Sequence, residues 1–240
     1  MNIYISTSDK YLHVLKPFSY LFNKFWSDKQ KVIILGYKHP NFDLPENFEF
    51  VSMGEQKGLN FWAEDLYNYI SSIEDEYFIY SMEDHFILDY VNFHTLIKLK
   101  KYINKDVGRI SLSTQLANKN HNVLESFGDT HIIESHHSIQ YRLCTQWSIW
   151  NKNFMLKYLK QGMSPYDFEL QGFENSMDDE YKILGFKGES VLKHADAIRA
   201  SKDGKLDEYN FNAIVWDYKK NELDILKKPV ILDMKEKGII

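Results

Sequence analysis

The chain has 240 residues, 44% of them hydrophobic and 15% aromatic, which is enough to build one substantial core. A net charge of −5 and a pI near 6.0 give no concentrated Lys/Arg footprint for a phosphate backbone, so nucleic acid is excluded as the expected partner. The lone cysteine, Cys144, leaves no intrachain disulfide; with no secretory leader pattern and no run of about 20 apolar residues, a cytoplasmic chain without a transmembrane segment is expected.

In chain order, the first half alternates short β-rich runs with helical periodicity, the pattern of an α/β sheet covered by helices. Residues 2–6 read as a strand, after which Tyr11, Val14, Leu15, Phe18, Leu21, Phe22 and Phe25 recur at helical spacing. Pro17 is expected to kink or interrupt that helix. The continuous apolar run KVIILGYK suits a central strand buried on both faces, and residues 48–53 a third strand. In NFWAEDLYNYISSIEDE, Trp62, Leu66, Tyr69, Ile70 and Ile73 form one helical stripe, with Asn60 placed to cap the first turn. A fourth strand over residues 77–80 runs directly into Glu83, Asp84 and His85. A helix from about Asn92 carries Leu96, Leu99 and Ile103, and VGRISLS follows as a strand.

In the second half, HIIESHHSIQYRL alternates like a half-buried strand, with Ile133, Ile139, Tyr141 and Leu143 on one face and Glu134, His136, Gln140 and Arg142 on the other. A helix from about Asn151 with Met155, Leu156 and Leu159 is expected to stop at Gly162, and SPYDFE to begin a loop or turn. KILGF and NAIVWDY are strand-like, separated by a Lys- and Asp-rich segment compatible with helix. No repeat, low-complexity tract or linker divides the chain, so a single domain over residues 1–240 is expected, with about 178–240 as a C-terminal extension.

In an open α/β sheet, ligands bind in the crevice outside the carboxyl ends of the strands, which is where Glu83, Asp84 and His85 fall. Acids placed directly after an aromatic, apolar strand are costly unless solvent, a cation or a hydrogen-bond donor neutralises them. The plain alternative is a pair of solvated or helix-capping charges. Carboxylate oxygens suit Mg²⁺ or Mn²⁺, ions that complete their shells with water and substrate phosphates, so the implied substrate is a phosphate-bearing nucleotide. For a bidentate grip on a diphosphate only Arg109, Arg142 and Arg199 are available. Adjacent His136 and His137 on a strand would point to opposite faces and make a poor shared metal site, while His194 is an isolated candidate. Trp147, Trp150 and Tyr166 flank the expected acceptor side, although a spacing of three assigns at least one tryptophan to core packing at a helix start. Cys144 reads as a small buried hydrophobe.

Taken together, the first strand with its STSD turn, the helix carrying Trp62, the strand ending in MEDHF and the downstream TQWSIWNKNFMLKYL and SPYDFE segments resemble a family. It is that of bacterial and viral glycosyltransferases of the GT-A fold, akin to family 2, over roughly residues 2–174. The resemblance implies an α/β fold, the Rossmann-like nucleotide-diphospho-sugar transferase architecture with a mixed central sheet flanked by helices. It also implies sugar transfer from a nucleotide-diphosphate donor to a hydroxyl of a glycan, lipid-linked or small-molecule acceptor. The family's metal-binding acidic motif falls on Glu83, Asp84 and His85; Glu and His replace the usual Asp at the flanks, making Asp84 the firmest ligand and leaving Mn²⁺ against Mg²⁺ open. Its catalytic carboxylate falls on Glu169, with Asp167 next, and its nucleotide-contacting turn on Ser6, Thr7, Ser8 and Asp9, where Ser8 or Asp9 also suits a helix cap. Such a reaction needs a cation beside the departing diphosphate and a carboxylate for the acceptor proton. Two alternatives stand beside this reading: a nucleotidyltransferase, although STSDKY lacks a glycine-rich basic loop, and a non-catalytic relative that binds a glycan or a partner protein.

Overall fold

A computed structural model describes residues 1–196 and 220–240. In chain order its elements are β1 (Ile3–Ser6), α1 (Leu15–Phe22), β2 (Val32–Gly36), β3 (Phe48–Ser52), α2 (Trp62–Ser72), β4 (Tyr77–Met82), β5 (His85–Ile87) and α3 (Phe93–Lys98). They continue with β6 (Val107–Ser111), β7 (His121–Phe127), β8 (Thr130–Ser135), β9 (Ser148–Asn151), α4 (Lys152–Tyr158), α5 (Pro165–Ser176), β10 (Lys182–Gly188), β11 (His194–Asp196) and α6 (Lys220–Glu236). Nine strands form one mixed sheet in the order β3-β2-β1-β4-β9-β6-β10-β8-β7, and β11 pairs with β5 in a small second sheet.

The β3-β2-β1-β4 portion is parallel throughout, and both β1 and β2 are buried along their whole length. That is why KVIILGYK lacks polar alternation: helices cover both faces of a parallel sheet. Along β1 the side chains still divide, with Ile3 and Ile5 entering the core shared with Phe18 and Phe22 of α1, and Tyr4 entering the opposite core with Leu66 of α2 and Phe154 of α4. A 3₁₀ turn over Asp9–Val14 leads into α1, and Pro17 is the third residue of the helix proper, where its missing N–H breaks no intrahelical bond. Gly36 ends β2 at a crowded point: a Cβ there would lie 2.6 Å from Phe50 Cζ and 2.8 Å from Thr7 Cγ2. Its absence lets the turn after β1 settle against β2, where Thr7 N donates to Leu35 O at 2.8 Å.

The second half departs from the sequence expectation at several places. The helix expected from about Asn151 begins at Lys152 with Asn151 as its cap, while the residues before it, read around Trp147 and Trp150 as a helix start, form strand β9, inserted antiparallel between β4 and β6. In this extended segment an odd offset sends side chains to opposite sides, so Trp147 stacks on Phe18 in one core while Trp150 lies against Phe154 in the other. Both indoles are fully buried. The strand expected to run through Leu143 stops at Ser135. Tyr141 has φ 65°, outside any strand conformation, and Arg142 is buried, donating to Asp179 Oδ1 at 2.8 Å. SPYDFE opens α5, with Ser164 and Asp167 forming a capping box and Pro165 at the first helical position. Asn60 lies inside a 3₁₀ turn over Leu59–Phe61 and makes no cap. β7, not expected from sequence, forms the outer edge, and β10 lies within the sheet between β6 and β8. NAIVWDY, the Lys- and Asp-rich segment before it and Arg199 lie outside the described residues. Among the described residues, no helix is long and apolar enough to cross a membrane.

Candidate active site at the carboxyl edge of the sheet

Parallel pairing of β1 with β4 sets Ser6 opposite Met82, so the turn after β1 and the acids after β4 emerge side by side. Glu83 N donates to Ser6 O at 3.2 Å and stitches the two exits together. A cavity of about 700 Å³ opens on this edge, walled by the Ser6–Ser8 turn, by Glu83, Asp84 and His85, by the loop carrying Tyr141 and Thr145, and by Tyr166 and Glu169 of α5. The topology thus gathers Ser6, Thr7, Ser8, Glu83, Asp84, His85 and Glu169 around one space. Asp9 and Asp167 are outside that lining.

Glu83 is 2% exposed, and its Oε2 together with Asp84 Oδ1 is buried without a hydrogen-bond partner. Burial drives the Glu83 carboxyl well above its ordinary range; the neighbouring Asp84 charge adds to this, and bonds from its own backbone and from Thr7 offset part of it. Asp84 is pushed up to about 6, again by burial. About 20% of its side chain still meets solvent, so it is less isolated than Glu83. Two desolvated carboxylates with orphaned oxygens are the donor set that a hard divalent cation takes, with phosphate and water completing its shell. His85 differs. Burial lowers it to about 3 and holds it neutral; its Nδ1 lies 2.8 Å from Ser81 Oγ, and its Nε2 is 3.7 Å from Asp84 Oδ1. Among the described residues no group of three His, Cys, Asp or Glu side chains is gathered for a metal, so the acids form a pair rather than the expected triplet. His194 packs its ring 5.6 Å from that of His85 on the small second sheet, whereas His136 bonds Ser138 on the exposed surface.

Glu169 and Asp167 separate cleanly. Glu169 Oε1 accepts from Thr145 N at 2.7 Å and from Thr145 Oγ1 at 2.8 Å, which fixes the carboxylate on the cavity wall. Asp167 Oδ2 accepts from Ser164 N at 2.9 Å and Ser164 Oγ at 2.6 Å, bonds that hold its carboxyl below the usual range. The expected alternative base is therefore the third residue of a capping box, engaged with its own helix terminus.

In the β1 turn, Ser6 Oγ accepts from Trp62 Nε1 at 3.3 Å, which ties the Trp62 helix to the site. Ser8 occupies the N-cap position of the 3₁₀ turn without a side-chain bond. Asp9, expected among the nucleotide-contacting residues, lies outside the cavity lining, and its Oδ1 accepts from Lys38 N at 2.9 Å. Sequence reasoning missed Thr145, Gln115 and the lysines Lys10 and Lys119, all of which line the cavity. Lys10 directly follows the STSD turn, whereas Gln115, Lys119 and Thr145 are brought to the site by the fold and carry no local sign.

No family model matches the chain, and no curated protein does. Among solved structures, a cytidylyltransferase from Leptospira borgpetersenii serovar Hardjo-bovis superposes over 96% of this chain and 95% of its own, with a TM-score of 0.51 and 10% identity. HddC from Yersinia pseudotuberculosis covers 81% of this chain and 92% of its own at a TM-score of 0.48 and 12% identity. The galactosyltransferase LgtC in complex with donor and acceptor sugar analogs covers 75% and 67% at a TM-score of 0.39 and 10% identity. At such identities the likeness is one of fold, and the first, nearly full-length superposition carries it. The chain has the α/β architecture that the resemblance implied, a mixed central sheet flanked by helices.

Proposed function

We propose that this chain transfers a sugar from a nucleotide-diphosphate donor to an acceptor hydroxyl, with Glu83 and Asp84 holding a divalent cation, Mn²⁺ or Mg²⁺, and Glu169 taking the acceptor proton. One juxtaposition supports the reading: orphaned, buried carboxylate oxygens on one wall of a cavity, and on another wall a carboxylate fixed by two donors. A cation bound to the pair would supply positive charge to the departing diphosphate.

The remaining work falls to the chain's own groups. The hydroxyls and amides of Ser6, Thr7 and Ser8 meet the nucleotide. Lys10 and Lys119, also on the cavity wall, face its phosphates. Thr145 occupies Oε1 of Glu169, which leaves Oε2 to accept the proton of an incoming hydroxyl. Tyr166, 65% exposed one turn before Glu169 on α5, offers an aromatic face to the acceptor.

Nucleotidyl transfer is the second reading, favoured by the nearly full-length likeness to a cytidylyltransferase. Thermal-shift screening of UDP-, GDP- and dTDP-linked sugars and of nucleoside triphosphates, with and without Mn²⁺ or Mg²⁺, tests both. Product analysis then separates them. Release of a nucleoside diphosphate from a sugar donor supports the proposal; release of pyrophosphate from a triphosphate and a sugar phosphate supports the second reading. If neither class stabilises the protein or reacts, both readings fail.

A further inference from the structure

We propose that Arg109 is a positioning residue whose buried charge, free of any carboxylate partner, makes this cavity selective for ligands carrying a diphosphate; this step rests on the transferase reading above. Arg109 lies in β6 and is 0% exposed. Its Nε donates to Ser148 Oγ at 2.8 Å, Nη1 to the carbonyls of Tyr141 at 3.0 Å and Arg142 at 3.2 Å, and Nη2 to Gln115 Oε1 at 2.8 Å. Cys144 completes the set, and the guanidinium carbon sits 5.6 Å from the Trp150 ring centroid. None of these partners is a carboxylate.

Buried charges are ordinarily paired, and this chain follows that rule at its other described buried arginine, where Arg142 meets Asp179 at 2.8 Å. At Arg109 the carboxylate that acts on the charge is Glu169, through space rather than by contact. The guanidinium itself does not reach the cavity. Gln115, Tyr141 and Cys144, which it holds, do line it. Among described residues Tyr141 is the one non-glycine with positive φ, and the Arg109 bond to its carbonyl pins that strained backbone in place.

A fixed positive charge behind a water-poor wall raises the potential inside the cavity without being screened by solvent. Glu83 and Asp84, opposing it, repel an anion until a cation neutralises them. The arrangement therefore suits a ligand that brings two or more negative charges together with a divalent ion. A neutral nucleoside gains little from it.

The test compares Arg109→Lys, Arg109→Met and Ser148→Asp with the unaltered chain by calorimetric titration of pyrophosphate, a nucleoside diphosphate and the corresponding nucleoside, each with Mg²⁺. Removing the charge in Arg109→Met weakens both phosphorylated probes by about tenfold or more and leaves the nucleoside nearly unchanged. Arg109→Lys, which keeps the charge but not the five-donor fork, retains most of the anion affinity while lowering Tm. If Arg109→Met does not fold, Ser148→Asp answers instead: a carboxylate beside the guanidinium but off the cavity wall weakens the two anions and spares the nucleoside. Equal losses for nucleoside and diphosphate, or no loss in either neutralised variant, overturn the inference. Should the unaltered chain bind pyrophosphate in an Arg109-dependent way yet ignore every nucleoside diphosphate, anion selectivity stands and the transferase reading falls. Failure to bind any polyanion overturns both.

Discussion

Changing Asp84 to Asn removes a charge that the fold holds against its own interest. Burial lifts this carboxyl from its ordinary 3.8 to about 6, a gap of about two units and so roughly 3 kcal/mol once it is ionised. Because the folded value exceeds the unfolded one, the folded state binds the proton more tightly. The stability this confers is present in full at acid pH and is lost as pH rises through the interval between the two values. Asn cannot ionise. The stability difference, variant minus unaltered chain, should therefore grow by up to roughly 3 kcal/mol between about pH 4 and about pH 7.5. Exposure of about 20% of the side chain makes that an upper value. For a chain of 240 residues it corresponds to about 6–12 °C in Tm. The amide N–H left in place of an orphaned oxygen costs about 1–3 kcal/mol at every pH, so the slope of the difference with pH, rather than any single value, is diagnostic. Loss of the Asp84 charge also lets the Glu83 carboxyl fall, a change in the same direction. Urea denaturation followed by tryptophan fluorescence in EDTA, repeated with Mn²⁺, measures these quantities. The unaltered chain should gain from Mn²⁺ near pH 7.5 and little near pH 4, where protons compete, and the variant should gain at neither. A constant offset between the two proteins across pH, or equal stabilisation of both by the cation, would refute the reasoning.

Other outcomes follow from the same wall of the cavity and from its supports. Glu169→Gln should lower transfer by about 10²–10⁴-fold while leaving nucleotide affinity, measured by titration, unchanged. Asp167→Ala, which opens the capping box, should lower stability in denaturant unfolding with little change in transfer rate, the reverse of the Glu169 result. Arg142→Met leaves Asp179, whose side chain is 3% exposed, with Lys157 at 4.0 Å as its remaining cation; a loss of up to about 3–5 kcal/mol in chemical denaturation is expected.

The sequence by itself determined the elements whose periodicity is local. Strand runs at β1 to β4, the stripe of Trp62, Leu66 and Ile70, and the acids directly after Met82 were all legible, because a two-residue or 3.6-residue repeat needs no knowledge of distant neighbours. Once β1 and β4 are parallel, the shared exit of the Ser6 turn and Glu83 follows. The remainder depended on contacts across the chain. Four residues of β9 adjoin a true helix and share its apolar character, and only insertion between β4 and β6 makes them extended, which in turn sends Trp147 and Trp150 to opposite cores. Glu169 and Asp167 could not be told apart while their segment read as a loop. In a helix two residues span about 200°, so one carboxylate faces Thr145 and the other turns back to Ser164. Arg109 gives no local sign of being unpaired, since its partners come from segments 6 to 39 residues away. Which charges end up desolvated is a property of what the sheet brings over them, and that was settled only in three dimensions.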